Sequence, residues 1–286
     1  MCHPATDKRR LRVSPPLLFA LFAIALIAGS VFYLFCYRDW RRRRTLRKPF
    51  PDAWRRLLWH QVPLYRRLSK ARQRRLEQRV QLFLSEKAFY GCDGFEVDDR
   101  VRLTIAGHAC LLLLGRHFSD YDDIRSILVY PEVFRVQHAW EHDLVVHEGE
   151  EIRAGEASGY GQVVLAWSEC EEAATDPHCP HNVILHEFAH QLDYLDGAAD
   201  GAPPLPGSQA EAWHRIMTDA RDDLHQALAH HHRPWLDPYG ATEPAEFFAV
   251  LTEAFFQEPA HLRQAQPDVY QALLGFYRFD PLHPGG

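Results

Sequence analysis

Residues 183–197 read VILHEFAHQLDYLDG. The apolar positions Ile184, Leu185, Phe188 and Leu192 recur at helical spacing, and Gly197 suits the end of a helix. Three to four residues make one helical turn, so His186 and His190 project from the same face. Two imidazoles placed in this way can grip one Zn²⁺ at about 2.0–2.1 Å each. Glu187, beside the first histidine, is placed to act on water as a general base instead of binding the ion. The chain has 18 histidines in 286 residues, so the pair by itself also fits two surface histidines. The apolar flanks argue for burial, and buried imidazoles need partners.

A catalytic zinc usually takes a third protein ligand and keeps one position open. The extended pattern HExxHxxGxxH would supply a third histidine, but Asp193 and Asp196 stand at its last two fixed positions, which excludes it. A carboxylate from a later helix is the other common solution. EPAEFFAVLTEAFF, residues 243–256, is the candidate segment, with Pro244 suited to the first turn of a helix. Glu246 and Glu253 are seven residues apart, hence on one face, among Phe247, Val250, Leu251 and Ala254. Two carboxylates on an apolar face are costly to bury unless something pairs with them, and a metal ligand with a supporting partner would account for both. Spacing alone leaves open which is which.

Outward from this centre, charge divides the chain. Residues 1–87 carry 21 Lys and Arg against 5 Asp and Glu, whereas residues 88–286 carry 11 against 33. A basic arm thus precedes an acidic body, and the body argues against nucleic acid as a partner, because phosphate would be repelled. The six cysteines show no CxxC spacing and are expected to be free thiols. Residues 17–37, LLFALFAIALIAGSVFYLFCY, carry no charge over 21 residues, enough to cross about 30 Å of hydrocarbon. This exceeds the apolar core of a signal peptide, about 7–15 residues, and lacks a small-residue cleavage site. The expectation is a single-pass membrane helix and a contact with the lipid bilayer. Seven basic residues flank the run on its C-terminal side and four on its N-terminal side, which favours a cytoplasmic location for the chain beyond residue 37.

The expected organisation is a basic tail over 1–16, the transmembrane helix over 17–37, a basic connector over 38–68, and one domain over 69–286. A helix capped by Ser69 opens that domain. Strands are expected at 95–97, 101–106, 126–131, 143–148 and 161–167. Helices come next at 181–196, about 208–229, 243–257 and 267–277. The HHH at 230–232 reads as a loop. Helix, strands, then helices make an α+β fold, and GQVVLAW at 161–167 is placed either as a sheet edge for an extended substrate or as a core strand.

HEFAHQLD (186–193) and YGATEPAEFFA (239–249) together resemble the MtfA-like (Mlc titration factor A) family of zinc-dependent peptidases. They also resemble the catalytic domain of anthrax lethal factor. Weaker matches at 95–99, 130–134, 161–167 and 271–281 extend the resemblance over roughly residues 60–281. It implies a zincin-like metallopeptidase domain with one catalytic Zn²⁺ held by His186, His190 and Glu246, and Glu187 as the base. It further implies that Tyr239 stabilises the oxyanion, that Glu253 supports the ligands, and that Asp193 has a supporting or helix-end role. The expected activity is hydrolysis of peptide or protein substrates. The alternatives are a zinc-binding regulatory protein of the same fold with little turnover, or a zinc amidohydrolase of another substrate class. The apolar N-terminal segment departs from the soluble family pattern.

Overall fold

A computed structural model describes residues 15–132, 134–136, 151–153, 155–158, 161–175, 179 and 181–285. The chain divides into two compact units, Met1–Lys48 and Pro49–Gly286. In the first, the described residues form helix α1, Pro15–Leu46. Its 32 residues extend about 48 Å at about 1.5 Å each, more than the hydrocarbon thickness of a bilayer. Within it Phe22–Leu46 is long and apolar enough, by length and composition, to cross a membrane. Phe19, Phe22, Ile27 and Phe32 stand largely exposed on it. The helix continues past Tyr37, where the apolar run ends, because arginine is itself a good helix former.

The second unit begins earlier than the sequence pattern suggests. Residues 49–68, expected as a connector with short helical pieces, do form short helices, α2 (Asp52–Gln61) and α3 (Pro63–Arg67), but their Leu58, Val62, Leu64 and Tyr65 are buried in the core. Then come α4 (Lys70–Glu86), with the Ser69 side chain accepting from the Arg72 amide, and β1 (Ala88–Gly91). The run 101–106, expected as a strand, lies within α5, Asp99–Leu111. Its apolar residues face the core on all sides, so it carries no helical polar stripe to read. Asp98 caps it by accepting from the Val101 amide at 2.8 Å. Residues 95–97 lead into that cap without forming a strand, and β1 lies just upstream instead.

β2 (Ser126–Tyr130), β3 (Phe134–Val136), β4 (Glu151–Arg153), β5 (Gly155–Ser158) and β6 (Gln162–Ala166) complete the strands. The expected strand at 143–148 lies outside the described residues. One sheet has the order β1-β2-β6-β5: β1 with β2 and β2 with β6 are parallel, and β5 with β6 is antiparallel. β3 and β4 form a separate antiparallel pair. GQVVLAW therefore holds an interior strand, and β5 is the edge on that side of the described sheet. α5 provides the crossover that a parallel β1–β2 pair requires.

The remaining helices are α6 (Trp167–Thr175), α7 (Val183–Asp193), α8 (Gly207–Ala229), α9 (Pro244–Gln257), α10 (Pro259–Ala265) and α11 (Pro267–Tyr277). α7 packs on α5, α6, α9, β5 and β6, which makes it central to the unit. The result is a helix-rich α+β arrangement with a small, mainly parallel sheet. Cys36, Cys92, Cys110 and Cys170 are free thiols.

Candidate metal centre

α7 starts at Asn182, a buried residue whose Oδ1 accepts from the Leu185 amide at 3.1 Å. Ile184, Leu185, Phe188, Ala189 and Leu192 are buried on its inner side. The Phe188 ring lies 5.7 Å from that of Phe83 and 5.2 Å from that of Tyr121, which fixes the rotation of the helix about its axis. That rotation turns His186 and His190 towards α9. α9 begins with Pro244 in its first turn and buries Phe247, Phe248, Leu251 and Phe255, which presents Glu246 and Glu253 to α7.

The two sequence-distant helices meet at four side chains. His186 Nδ1 lies 2.8 Å from Glu253 Oε1. The other Glu253 oxygen accepts from the Asn182 backbone N–H at 2.5 Å, so this carboxylate, only 5% exposed, is engaged at both ends. With its Nδ1–H given to Glu253, a neutral His186 carries a lone pair at Nε2. That atom lies 2.9 Å from Glu246 Oε2 and 3.2 Å from His190 Nε2, and His190 Nε2 is 3.4 Å from the same Glu246 oxygen. Three lone-pair donors so close repel one another unless a cation lies among them. The edge of a tetrahedron with arms of about 2.0–2.1 Å is about 3.3 Å, so nitrogen, nitrogen and carboxylate oxygen at these separations fit a zinc ion. His186, His190 and Glu246 form the one group of this kind among the described residues.

Burial opposes charge on His186, but hydrogen bonds with Glu246 and Glu253 outweigh it and raise the ring well above its ordinary pKa. Burial likewise opposes charge on Glu246, yet its bonds with His186 and His190 hold it down at about 2. Glu187 differs. It is 4% exposed, and its Oε2 has no hydrogen-bond partner among the described residues. Burial pushes its carboxyl up to about 7, against the pull of His186 and His190.

Asp193 is fully buried at the end of α7. Its Oδ2 accepts from the Gly201 amide at 2.9 Å, so it secures the loop beyond the helix. Gly201 has φ of +75°, and a Cβ there would stand 2.3 Å from the Pro244 carbonyl oxygen. The Gly201 carbonyl accepts from Trp213 Nε1 at 3.0 Å. One glycine thus touches the end of α7, the body of α8 and the start of α9, which sets the distance between the two ligand helices. Tyr239 sits on a 3₁₀ turn, Pro238–Ala241, held by Asp237 Oδ1 accepting from the Tyr239 amide at 2.8 Å. It is 48% exposed, with its ring 6.2 Å from the His186 ring. Beside it a cleft of about 380 Å³ is lined by His181, Trp235, Leu236, Pro238, Val250 and Glu253.

All seven residues singled out from the sequence lie at or beside this junction. Asn182 and Gly201 were missed. Asn182 carried a signal, being an N-cap residue type just before an apolar helix. Gly201 carried none, because its contacts exist only once three helices have packed.

A family model described as glucose-regulated metallo-peptidase M90 matches residues 37–278. An uncharacterized protein of Synechocystis sp. is 38% identical over 265 residues, covering 91% of this chain and 96% of that protein. The Mlc titration factor A of Enterobacter sp. is 32% identical over 252 residues, covering 85% and 91%. That of Salmonella gallinarum is 33% identical over 226 residues, covering 77% and 84%.

Proposed function

The chain belongs to the family of glucose-regulated metallo-peptidases M90, and from that premise we propose that it is a membrane-anchored zinc peptidase acting on peptide or protein substrates. The observation that carries the reading is the meeting of His186, His190 and Glu246 with a shielded, unpartnered Glu187 oxygen beside them. His186, His190 and Glu246 would hold the ion. When bound, zinc would lower the pKa of water and polarise the scissile carbonyl. Glu187 takes the proton from the attacking water and later delivers it to the leaving amine nitrogen. The Tyr239 phenol donates a hydrogen bond to the oxyanion as charge develops there. Glu253 keeps the His186 ring in the tautomer and orientation that leave Nε2 for the metal, and Asp193 steadies the loop behind α7.

The outer edge of β5 is suited to pair with an extended substrate backbone, since an edge strand offers unpaired amides and carbonyls. The cleft beside Glu253 has room for a substrate side chain. Residues 17–37 anchor the protein, and the excess of arginine after them favours the cytoplasmic side for the second unit.

The test is metal analysis and a peptide-library cleavage assay on the wild type and Glu187→Gln. The variant should bind zinc and lose hydrolysis; metal-dependent cleavage that survived the substitution would sink the mechanism. A second reading draws on the relatives' name, titration factor: the metal helix would organise a partner-binding surface with negligible turnover. It predicts zinc-dependent partner binding without any processed substrate.

A further inference from the structure

The second unit is electrically lopsided in a way that catalysis does not explain. From Ala53 to Arg75 it carries eight Lys and Arg and no Asp or Glu; the rest of residues 49–286 carries 13 against 36. These basic residues are not scattered over the surface. α2 and α4 both pack on buried α5, and the two are joined through Arg55 Nε, which donates to Glu77 Oε1 at 2.9 Å. Tyr65 of α3 donates its hydroxyl to the same Glu77 oxygen at 2.6 Å. Glu77 therefore ties the three helices into one cluster, with α2 and α4 against α5, and their outward sides form its surface. On it Arg56, Arg66, Arg67, Arg74 and Arg75 are exposed, together with Trp59 at 44%. Arg56 and Trp59 are three residues apart on α2 and share its outer face.

We infer that this α2–α4 face is a docking surface for anionic lipid headgroups, which seats the second unit against the bilayer. The inference rests on the membrane-anchored reading, and three features of the surface select a lipid. Its charge is a diffuse array of arginines, which suits a plane of mobile headgroups more than a single deep ligand. Trp59 is the side chain type that settles at the interface between headgroup and hydrocarbon. The face begins only a few residues after the arginine-rich end of the apolar helix, so the chain itself delivers it to a membrane surface. The acidic remainder of the unit is repelled by the same lipids, which turns the basic face towards the bilayer and the remainder away.

The test places the photo-crosslinker p-benzoylphenylalanine at position 59 in the full chain, reconstituted into neutral phosphatidylcholine vesicles or vesicles containing phosphatidylserine. Lipid adducts at position 59 are expected to rise about threefold or more in the anionic vesicles and to fall back in about 0.5 M salt. The variant R66E/R67E/R74E/R75E, checked for folding by its thermal melt, should lose the rise. If that variant does not fold, the salt series on the unmodified surface carries the same decision. Equal yields in neutral and anionic vesicles, or adducts to the acidic part of a second copy of this chain but not to lipid, would overturn the inference. Flotation of the same samples separates the anchor from the surface. Flotation with neutral vesicles at high salt upholds the anchor whatever happens at position 59. Flotation with anionic vesicles at low salt alone would reject the anchor, and loss of that flotation in the four-arginine variant would assign it to the surface.

Discussion

The junction of α7 and α9 and the outer face of α2–α4 are both dense in charge, and they use it in opposite ways. At the junction, His186, Glu246 and Glu253 are buried or nearly so, and each meets a partner at 2.8–3.4 Å. On the outer face, arginines of one sign stand in water beside an exposed tryptophan. Charges removed from water must be matched atom by atom, so the junction tolerates almost no change. Charges left in water are screened and individually weak, so the face should respond gradually.

The strongest way to break this contrast is Glu187→Gln. It should lower peptide hydrolysis by about 10²–10⁴-fold while about one zinc per chain remains, measured by metal analysis beside turnover. Glu253→Gln should come next. Losing the carboxylate that holds His186 Nδ1 should weaken zinc binding by about 10–100-fold in a chelator competition, with much of the hydrolysis recovered at saturating zinc. Tyr239→Phe should reduce kcat by about tenfold with little change in KM, because a half-exposed phenol stabilises charge less than a buried donor.

A smaller effect is a pH dependence of the metal-free protein. Glu187 is raised to about 7, Asp193 to about 6, and His186 well above its ordinary value. At these three groups the folded chain holds more protons than the unfolded one between about pH 5 and 8, which outweighs the opposite effect of buried His108, held down at about 4, so stability falls as pH rises. The melting temperature should drop by about 2–4 °C for each kcal/mol lost over that range. Saturating zinc, which requires deprotonated ligands, should flatten or reverse the slope. Glu246, held at about 2, acts in the opposite sense and only in acid: its contribution is present above pH 4.5 and is lost as pH falls towards 2. The smallest effect belongs to the outer face. Each of R66E, R67E, R74E and R75E should shift stability by no more than about 0.5 kcal/mol and leave turnover on a soluble peptide unchanged.

Legibility in the sequence followed the same division between local and long-range order. α4, α7, α8 and α11 were readable because each has one buried and one less buried side, and a 3.6-residue period records that directly, whereas α9, buried nearly all round, was marked by Pro244 at its start and by its two glutamates seven residues apart. α5 was not, since burial on every side erases the period and an apolar run of that length reads equally well as a strand. β1 escaped because AFYG is short and shows no alternation. That β6 is interior and β5 the edge depended on pairing with β2, some 36 residues away in register.

By itself the sequence determined which residues share a helix face, namely His186 with His190 and Glu246 with Glu253, because covalent geometry sets that spacing whatever the surroundings. It likewise marked residues 17–37 as an uncharged apolar run long enough to cross a membrane. Only the tertiary structure decided that Glu253 would grip His186 from 67 residues away and that Glu246 would meet both histidines. It also decided that Gly201 would set the gap between their helices. Those relations depend on how Phe188 and the α9 phenylalanines pack. Packing depends on shapes brought together from distant parts of the chain, which no local period records.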